Sequence, residues 1–259
     1  MDPLALGLLS ALSAVAASAS AISDQRMQVF HTLSEKPIYT SEGPQVSVIV
    51  PCLQEEDWLP NLLTSIKNQT YSPIEVVIVD QSVGGYNEKL QTICLEYGAK
   101  CIHIDELNVA AARNRGAEVA TSDMLIFSDA DNIFTQDCVE NLVLTLQQGY
   151  MLANPVLCVY DDGLYSVASL WRNNWFKSNV RTTCCIAVWK QAFNDVGGYD
   201  ETWDPLRRCG EDLMFGRAIA NRFGQASMKL VRQALVGTSA RRRKAEGLIF
   251  TSWANRIIR

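Results

Sequence analysis

Met124-Leu125-Ile126-Phe127-Ser128-Asp129-Ala130-Asp131 is the stretch on which the fold turns. Four apolar residues in a row, ending in a polar turn, read as a buried strand running out of a core. Two carboxylates separated by one residue then leave its C-terminal edge, and in open α/β sheets that edge is where ligands bind. Neighbouring carboxylates repel and are costly to desolvate, so such a pair calls for a cation or solvent beside it. A hard divalent ion that also holds substrate phosphates suits oxygen ligands of this kind. The alternative is an Asx-rich turn, since Asn132 follows and Asp and Asn are ordinary turn formers.

Working outward, strand and helix patterns alternate. Val46–Val50 reads as a strand closed by Pro51, and Trp58 to Asn68 carries apolar residues at helical spacing. Ile74–Val79 reads as a second strand ending on Asp80. Tyr86–Tyr97 reads as a helix stopped by Gly98, Cys101–Ile104 as a short strand, and Ala110–Ala120 as an Ala-rich helix. The second half offers strand patterns near Ala153–Tyr160 and Cys185–Trp189, and a helix over Glu211–Arg222. The alternation predicts an α/β fold with a largely parallel sheet and crossover helices. Polar groups gather where the strands end: Pro51 to Glu56, Asp80-Gln81-Ser82, and Asp129-Ala130-Asp131. Glu211-Asp212 opens a later helix behind Gly210. Caps and first-turn acids explain each one singly. Several acids on one sheet edge, with a divalent ion, make a nucleoside-diphosphate site.

Size and composition set the bounds. The 259 residues are 48% hydrophobic and 20% charged, an ordered globular composition, and the net charge of −5 argues against nucleic acid as partner. The eight cysteines have no zinc spacing and read as small buried hydrophobes. Leu4 to Ile22 is uncharged and rich in Leu, Ala and Ser, with a length that suits a bilayer. Arg26 and Lys36 follow it, so the positive-inside rule predicts a membrane-associated segment with the remainder facing the cytoplasm. A cleaved signal peptide is the alternative, on Ala17-Ser18-Ala19, although no basic residue precedes the run. The expected division is a membrane-associated segment 1–25, a linker 26–44, a catalytic domain 45–245 and a tail 246–259.

Taken in order, these motifs resemble the family 2 glycosyltransferases with the GT-A fold, a Rossmann-like, mostly parallel sheet flanked by helices with an acceptor-side subregion. Val48-Ile49-Val50-Pro51-Cys52-Leu53-Gln54-Glu55-Glu56 is similar to the opening strand and its Pro-x-x-Asn-Glu turn, with Gln54 for the usual Asn. Val77-Ile78-Val79-Asp80-Gln81-Ser82 is similar to the nucleoside-binding strand end, with Gln81 for the usual second Asp. Ala111 to Gly116 resembles the Ala-Arg-Asn-x-Gly helix, and Asp129-Ala130-Asp131 the metal-binding DxD. Gly197 to Glu201 and Gly210-Glu211-Asp212-Leu213 resemble the acceptor-side turn and the ED motif. Six motifs in this order are far more specific than any one of them.

The resemblance implies roles at matching positions. Asp129 and Asp131 would bind Mn²⁺ or Mg²⁺, and Asp212 would be the general base. Pro51, Leu53, Glu55, Asp80, Arg113, Asp129, Ala130 and Glu211 would line the nucleotide-sugar site, Arg113 close enough to pair with phosphate or stack on the base. A UDP-sugar is the favoured donor with GDP-mannose a rival, and the acceptor would be a glycan, a lipid-linked saccharide or a protein. The Gln-x-x-Arg-Trp motif of processive members is absent, which points to transfer of a single sugar with inversion. Where many relatives carry a His after the ED helix, this chain has Thr238-Ser239-Ala240-Arg241-Arg242-Arg243. Arg242 and Arg243 are expected to fold over the diphosphate as a cationic lid, or else to form a solvated or lipid-attracted basic run. Trp171, Trp175 and Phe176 fall where the family places acceptor contacts, and core packing also accounts for such residues. A nucleotidyltransferase of the same fold, or a degenerate nucleotide-sugar-binding module, is the competing class. The acidic turn Cys52 to Glu55 disfavours the first, and intact Asp129, Asp131 and Asp212 disfavour the second.

Overall fold

The computed structural model describes residues 41–161, 182–202 and 210–241. The segment 1–25, the aromatic residues Trp171, Trp175 and Phe176, the pair Arg242 and Arg243, and the tail 246–259 lie outside the described residues. No helix among the described residues is long and apolar enough to cross a membrane.

In chain order the elements are β1 (Ser41–Cys52), α1 (Leu59–Lys67), β2 (Tyr71–Asp80), α2 (Glu88–Tyr97), β3 (Lys100–His103), α3 (Val109–Val119), β4 (Met124–Phe127) and β5 (Ile133–Phe134). There follow α4 (Cys138–Gln147), β6 (Leu152–Val159), β7 (Ile186–Trp189), α5 (Lys190–Asp195), α6 (Glu211–Phe223) and β8 (Met228–Thr238). The strands form one eight-stranded sheet in the order β3-β2-β1-β4-β7-β6-β8-β5. β3, β2, β1 and β4 are mutually parallel, whereas β7 runs antiparallel to both β4 and β6.

Burial on both faces explains the unbroken apolar strands. Met124 and Ile126 of β4 pack with Val48, Val50, Leu62, Leu90 and Leu142, so α1, α2 and α4 cover that face. Leu125 and Phe127 point the other way, to Ile49, Val79, Ala112, Phe193, Phe215 and Ile219 on α3, α5 and α6. Each side chain alternates to its own core, as a period of two requires.

The order β3-β2-β1-β4 positions the site. The chain winds outward from β1 through β2 to β3, then returns to the other side of β1 as β4. The crossover through α3 runs on the face opposite to α1 and α2, and a crevice opens between the C-terminal ends of β1 and β4.

Several elements depart from expectation. β1 opens at Ser41, inside the stretch 26–44 expected as a linker. Ser41 and Glu42 pair with Tyr71 and Ser72, and a register shift before Val46 absorbs Gly43 and Pro44 as a bulge. At its other end β1 passes through Pro51, which pairs with Val79, to Cys52. α2 starts at Glu88 rather than Tyr86, because the Asn87 side chain accepts the Leu90 N–H as an N-cap, and Gly98 ends it at φ 68°. β5, α4, α5 and β8 are not among the elements expected from sequence.

Candidate functional site

The crevice is built first from the turn after β1. Gln54 sits at φ 55°, a left-handed conformation that costs a non-glycine residue about 1–3 kcal/mol. Asn, the usual residue of the resembled motif, enters that region more readily. The turn leaves Leu53 exposed at the crevice mouth and Pro51 buried in the strand, and it carries Glu55 inward. Only 6% exposed, Glu55 accepts an ion-paired hydrogen bond from Arg241.

Across the crevice, Ser128 still bonds to the sheet, its N–H donating to the Ile49 carbonyl at 3.0 Å, and the chain then turns with Asn132 N–H on the Asp129 carbonyl at 3.2 Å. Ala130 drops into the core against the α1/α4 face. Its neighbours Asp129 and Asp131 remain at the edge, each paired with an arginine. Asp129 Oδ1 accepts from Arg113 Nη2 at 2.9 Å, and Asp131 Oδ2 from Arg241 Nε at 3.3 Å. Tyr160 anchors the turn by donating its hydroxyl to the Asp131 carbonyl at 3.0 Å. The stretch is therefore both a turn and a carboxylate pair.

Arg113 is the hub of the site. On α3, with 1% of its surface exposed, its Nη1 donates to Glu211 at 2.7 Å and to Asp212 at 2.9 Å, while Nη2 holds Asp129. Its guanidinium lies over the Tyr199 ring, 5.1 Å from the centroid. α3 comes this close because Gly116 rests against Ile49 and Val79. Asn114, one residue beyond Arg113, fastens the turn bearing Tyr199: it accepts the Tyr199 N–H at 2.9 Å and donates to the Tyr199 carbonyl at 2.9 Å and to Glu201 at 2.7 Å.

The Asp212 carboxyl is pushed up to about 7. Burial is the main cause, Arg113 opposes it, and the charges of Glu211 and Asp129 add to it. No side-chain cap closes the N-terminus of α6, so Asp212 is not spent on capping. Carboxylates pinned by backbone amides at a helix start become weak bases; this one has become stronger.

Two residues expected to contact the nucleotide have partners within the protein. Arg113, expected beside the phosphate or base, is buried behind the carboxylates and turned toward them: three acids on neighbouring elements claim the guanidinium. Asp80 is fully buried, its oxygens accepting the N–H groups of Ser82 at 2.9 Å and Asn87 at 2.8 Å. Burial disfavours its charge, but these bonds outweigh burial and hold its carboxyl below the usual range. Asp80 thus shapes the loop between β2 and α2 from beneath, where a direct base contact was expected. Gln81 beside it is committed to the Glu106 carbonyl at 2.7 Å.

Sequence reasoning missed Arg241 and Cys184. Arg241 belongs to the basic run from which Arg242 and Arg243 were singled out, and spacing does not separate the three. Cys184 lies 4.0 Å from the Asn132 side chain, its thiol pushed up by burial and by Asp129 and Asp212. Nothing in its local sequence marks it.

No three His, Cys, Asp or Glu side chains form a ready metal set among the described residues. Asp129 and Asp131 nonetheless suit a hard cation, since Mg²⁺-type ions bind through one or two carboxylates and complete their shell with substrate phosphates and water. Asp129, Glu211 and Asp212 share Arg113 as their common cation, an acidic surplus that a divalent ion would offset.

The sequence matches the family model "Glycosyl transferase family 2" over residues 47–196. The chain belongs to this family. Family members similar to it include glycosyltransferase GlyA of Streptococcus pneumoniae, 34% identical over 190 residues covering 65% of this chain and 27% of GlyA. The amylovoran biosynthesis glycosyltransferase AmsB of Erwinia amylovora is 30% identical over 96 residues, 35% of this chain and 32% of AmsB. The chain spans less than a third of the length of these two relatives. Among solved structures, S. aureus TarS aligns with a TM-score of 0.58 at 14% identity, over 75% of this chain and 36% of TarS. GalNAc-T7 with UDP, GalNAc and Mn²⁺ aligns with a TM-score of 0.57 at 18% identity, over 76% of this chain and 44% of that one. The family fold is thus the GT-A arrangement, mixed α/β with a mostly parallel sheet flanked by helices.

Proposed function

We propose that this member of family 2 is an inverting, non-processive glycosyltransferase that moves one sugar from a nucleoside-diphosphate sugar to an acceptor hydroxyl. One observation carries the reading: Arg113 ties Asp212 to Asp129, so a carboxyl raised to about 7 is fixed beside the DxD pair. A general base works best with its pKa near the working pH. Arg113 takes Oδ1 of Asp212, which keeps the carboxylate aimed while it accepts the acceptor's proton. Asp129 and Asp131 would hold Mn²⁺ or Mg²⁺, and the ion would supply charge stabilisation to the departing diphosphate. Leu53 and Glu55 bound the nucleotide side of the crevice, and the Tyr199 turn bounds the acceptor side. A single base opposite the leaving group supports inversion, because retention would need a carboxylate nucleophile as well. UDP is favoured as the donor nucleotide, with GDP second. A membrane-proximal acceptor rests on the uncharged Leu4–Ile22 stretch.

The test is release of nucleoside diphosphate from a panel of UDP- and GDP-sugars with Mn²⁺, comparing wild type with Asp131→Asn and Asp212→Asn. Metal-dependent turnover by wild type, reduced at least a hundredfold in each variant, is the expected result, since general base catalysis contributes about 10²–10⁴-fold. Turnover unchanged by Asp212→Asn would remove the assigned base.

A further inference from the structure

Arg241 is a cation already sitting where the reaction needs one. It ion-pairs with Glu55 on the β1 side of the crevice and with Asp131, 3.3 Å away, on the β4 side. Both carboxylates are almost fully buried, while the Arg241 side chain keeps 27% of its surface exposed and so closes them off from solvent. Its guanidinium also rests on the Trp58 ring, 5.0 Å from the centroid. The backbone beneath is built for this. Asp161 accepts the Ala240 N–H at 2.7 Å and the Ser239 hydroxyl, and Ser239 Oγ accepts the Arg241 N–H at 3.1 Å. The segment after β8 therefore delivers Arg241 to the crevice.

We infer that Arg241 is an exchangeable counter-ion: it holds Glu55 and Asp131 while the donor is absent, and passes to the diphosphate when the metal-bound donor takes Asp131. The inference rests on the nucleotide-sugar reading above. Its logic is competition. An Asp131 oxygen engaged by the guanidinium is not available to a metal ion in the same arrangement, so the free ion meets only the fraction of molecules in which Arg241 has moved away. A diphosphate changes the balance. Its oxygens offer the guanidinium fork the same planar, two-point geometry as a carboxylate pair, so the arginine leaves one anion for another without losing charge-assisted bonds. Metal alone is opposed by Arg241, whereas metal with diphosphate is assisted by it. The two ligands become coupled through one side chain, and the coupling is reciprocal. The Trp58 face gives the guanidinium a surface on which to swing without full rehydration.

The experiment measures Mn²⁺ binding by the electron paramagnetic resonance signal of the free ion. It uses the full-length protein, wild type, Arg241→Gln and Arg241→Lys, each without nucleotide and with UDP or GDP. Arg241→Gln is expected to bind Mn²⁺ alone about tenfold more tightly than wild type and Mn²⁺ with nucleoside diphosphate about tenfold more weakly, within the usual range of coupling between two sites. Arg241→Lys, which keeps the charge but not the fork, falls between, and it carries the test if the glutamine variant does not fold. Unchanged or weaker binding of Mn²⁺ alone in both variants, with wild type still binding Mn²⁺ and UDP or GDP together, overturns the exchange and leaves the transferase reading intact. Failure of all three proteins to bind Mn²⁺ with either nucleotide overturns both.

Discussion

At the scale of single residues, the site is a problem in charge. Asp212, Glu211 and Asp129 crowd one guanidinium, and burial adds to their mutual repulsion, so Asp212 keeps its proton to about pH 7 instead of losing it near the usual aspartate value of 3.8. In the proposed role of base, Asp212 would act only when ionised. With donor and Mn²⁺ saturating, kcat should climb as pH rises through about 7 and level off above it, and a kcat flat from pH 5 to 8 would remove Asp212 as the titrating base. The sign for stability is opposite. A folded-state value above the unfolded one means the native protein binds the extra proton, so this group's contribution is full below about pH 4 and is lost as pH rises through about 7. Of the residues assigned from sequence, Asp129, Asp131, Glu211 and Asp212 do converge. Arg113 and Asp80 were legible as important but not as buried: a sequence shows a charged side chain, and only the packing around it tells which charges claim it.

At the scale of elements, legibility followed burial. β4 and the end of β2 are covered on both faces, and their apolar runs announced them. α3 was legible by its small residues, which let it lie close on β1 and β2. At Gly116 a β-carbon would collide with the Ile49 side-chain methyl and come within 3.2 Å of a Val79 methyl. Ile49 is β-branched in a central strand and has little freedom to yield. Gly116→Ala should therefore cost about 1–3 kcal/mol by overpacking, visible as a lowered denaturant midpoint, despite the better helix propensity of alanine. A more stable variant would show that α3 can shift outward. β8 escaped the sequence reading for the converse reason. Lys229, Arg232 and Gln233 interrupt its pattern, its pairing with β6 shifts register at Pro155, and it is only partly covered. Yet β8 delivers Arg241. The α4 pattern of Cys138, Val139, Leu142, Val143 and Leu146 has helical spacing and could have been found.

At the scale of the whole molecule, the order β3-β2-β1-β4 draws the proposed donor site from segments far apart in sequence: the turn at Gln54, the acid pair at Asp129, the head of α6 and the end of β8. A ligand that joins these segments should stabilise the entire fold. Mn²⁺ with UDP or GDP at 100 times its Kd is expected to add about 2.7 kcal/mol, raising Tm by several degrees in a thermal melt. The same mixture should leave Asp131→Asn unmoved, and an equal rise in that variant would place the ligand elsewhere. What the sequence determined by itself was local: strands that end in acids, an acid pair at helix-start spacing, and an order of motifs enough to name a family. Those features depend on residues near one another in the chain. Tertiary structure alone decided which arginine meets which carboxylate. Arg113 lies 99 residues from Asp212, and Arg241 lies 186 from Glu55. Ion pairing depends on distance in space and on burial, and neither is written in any local run of residues.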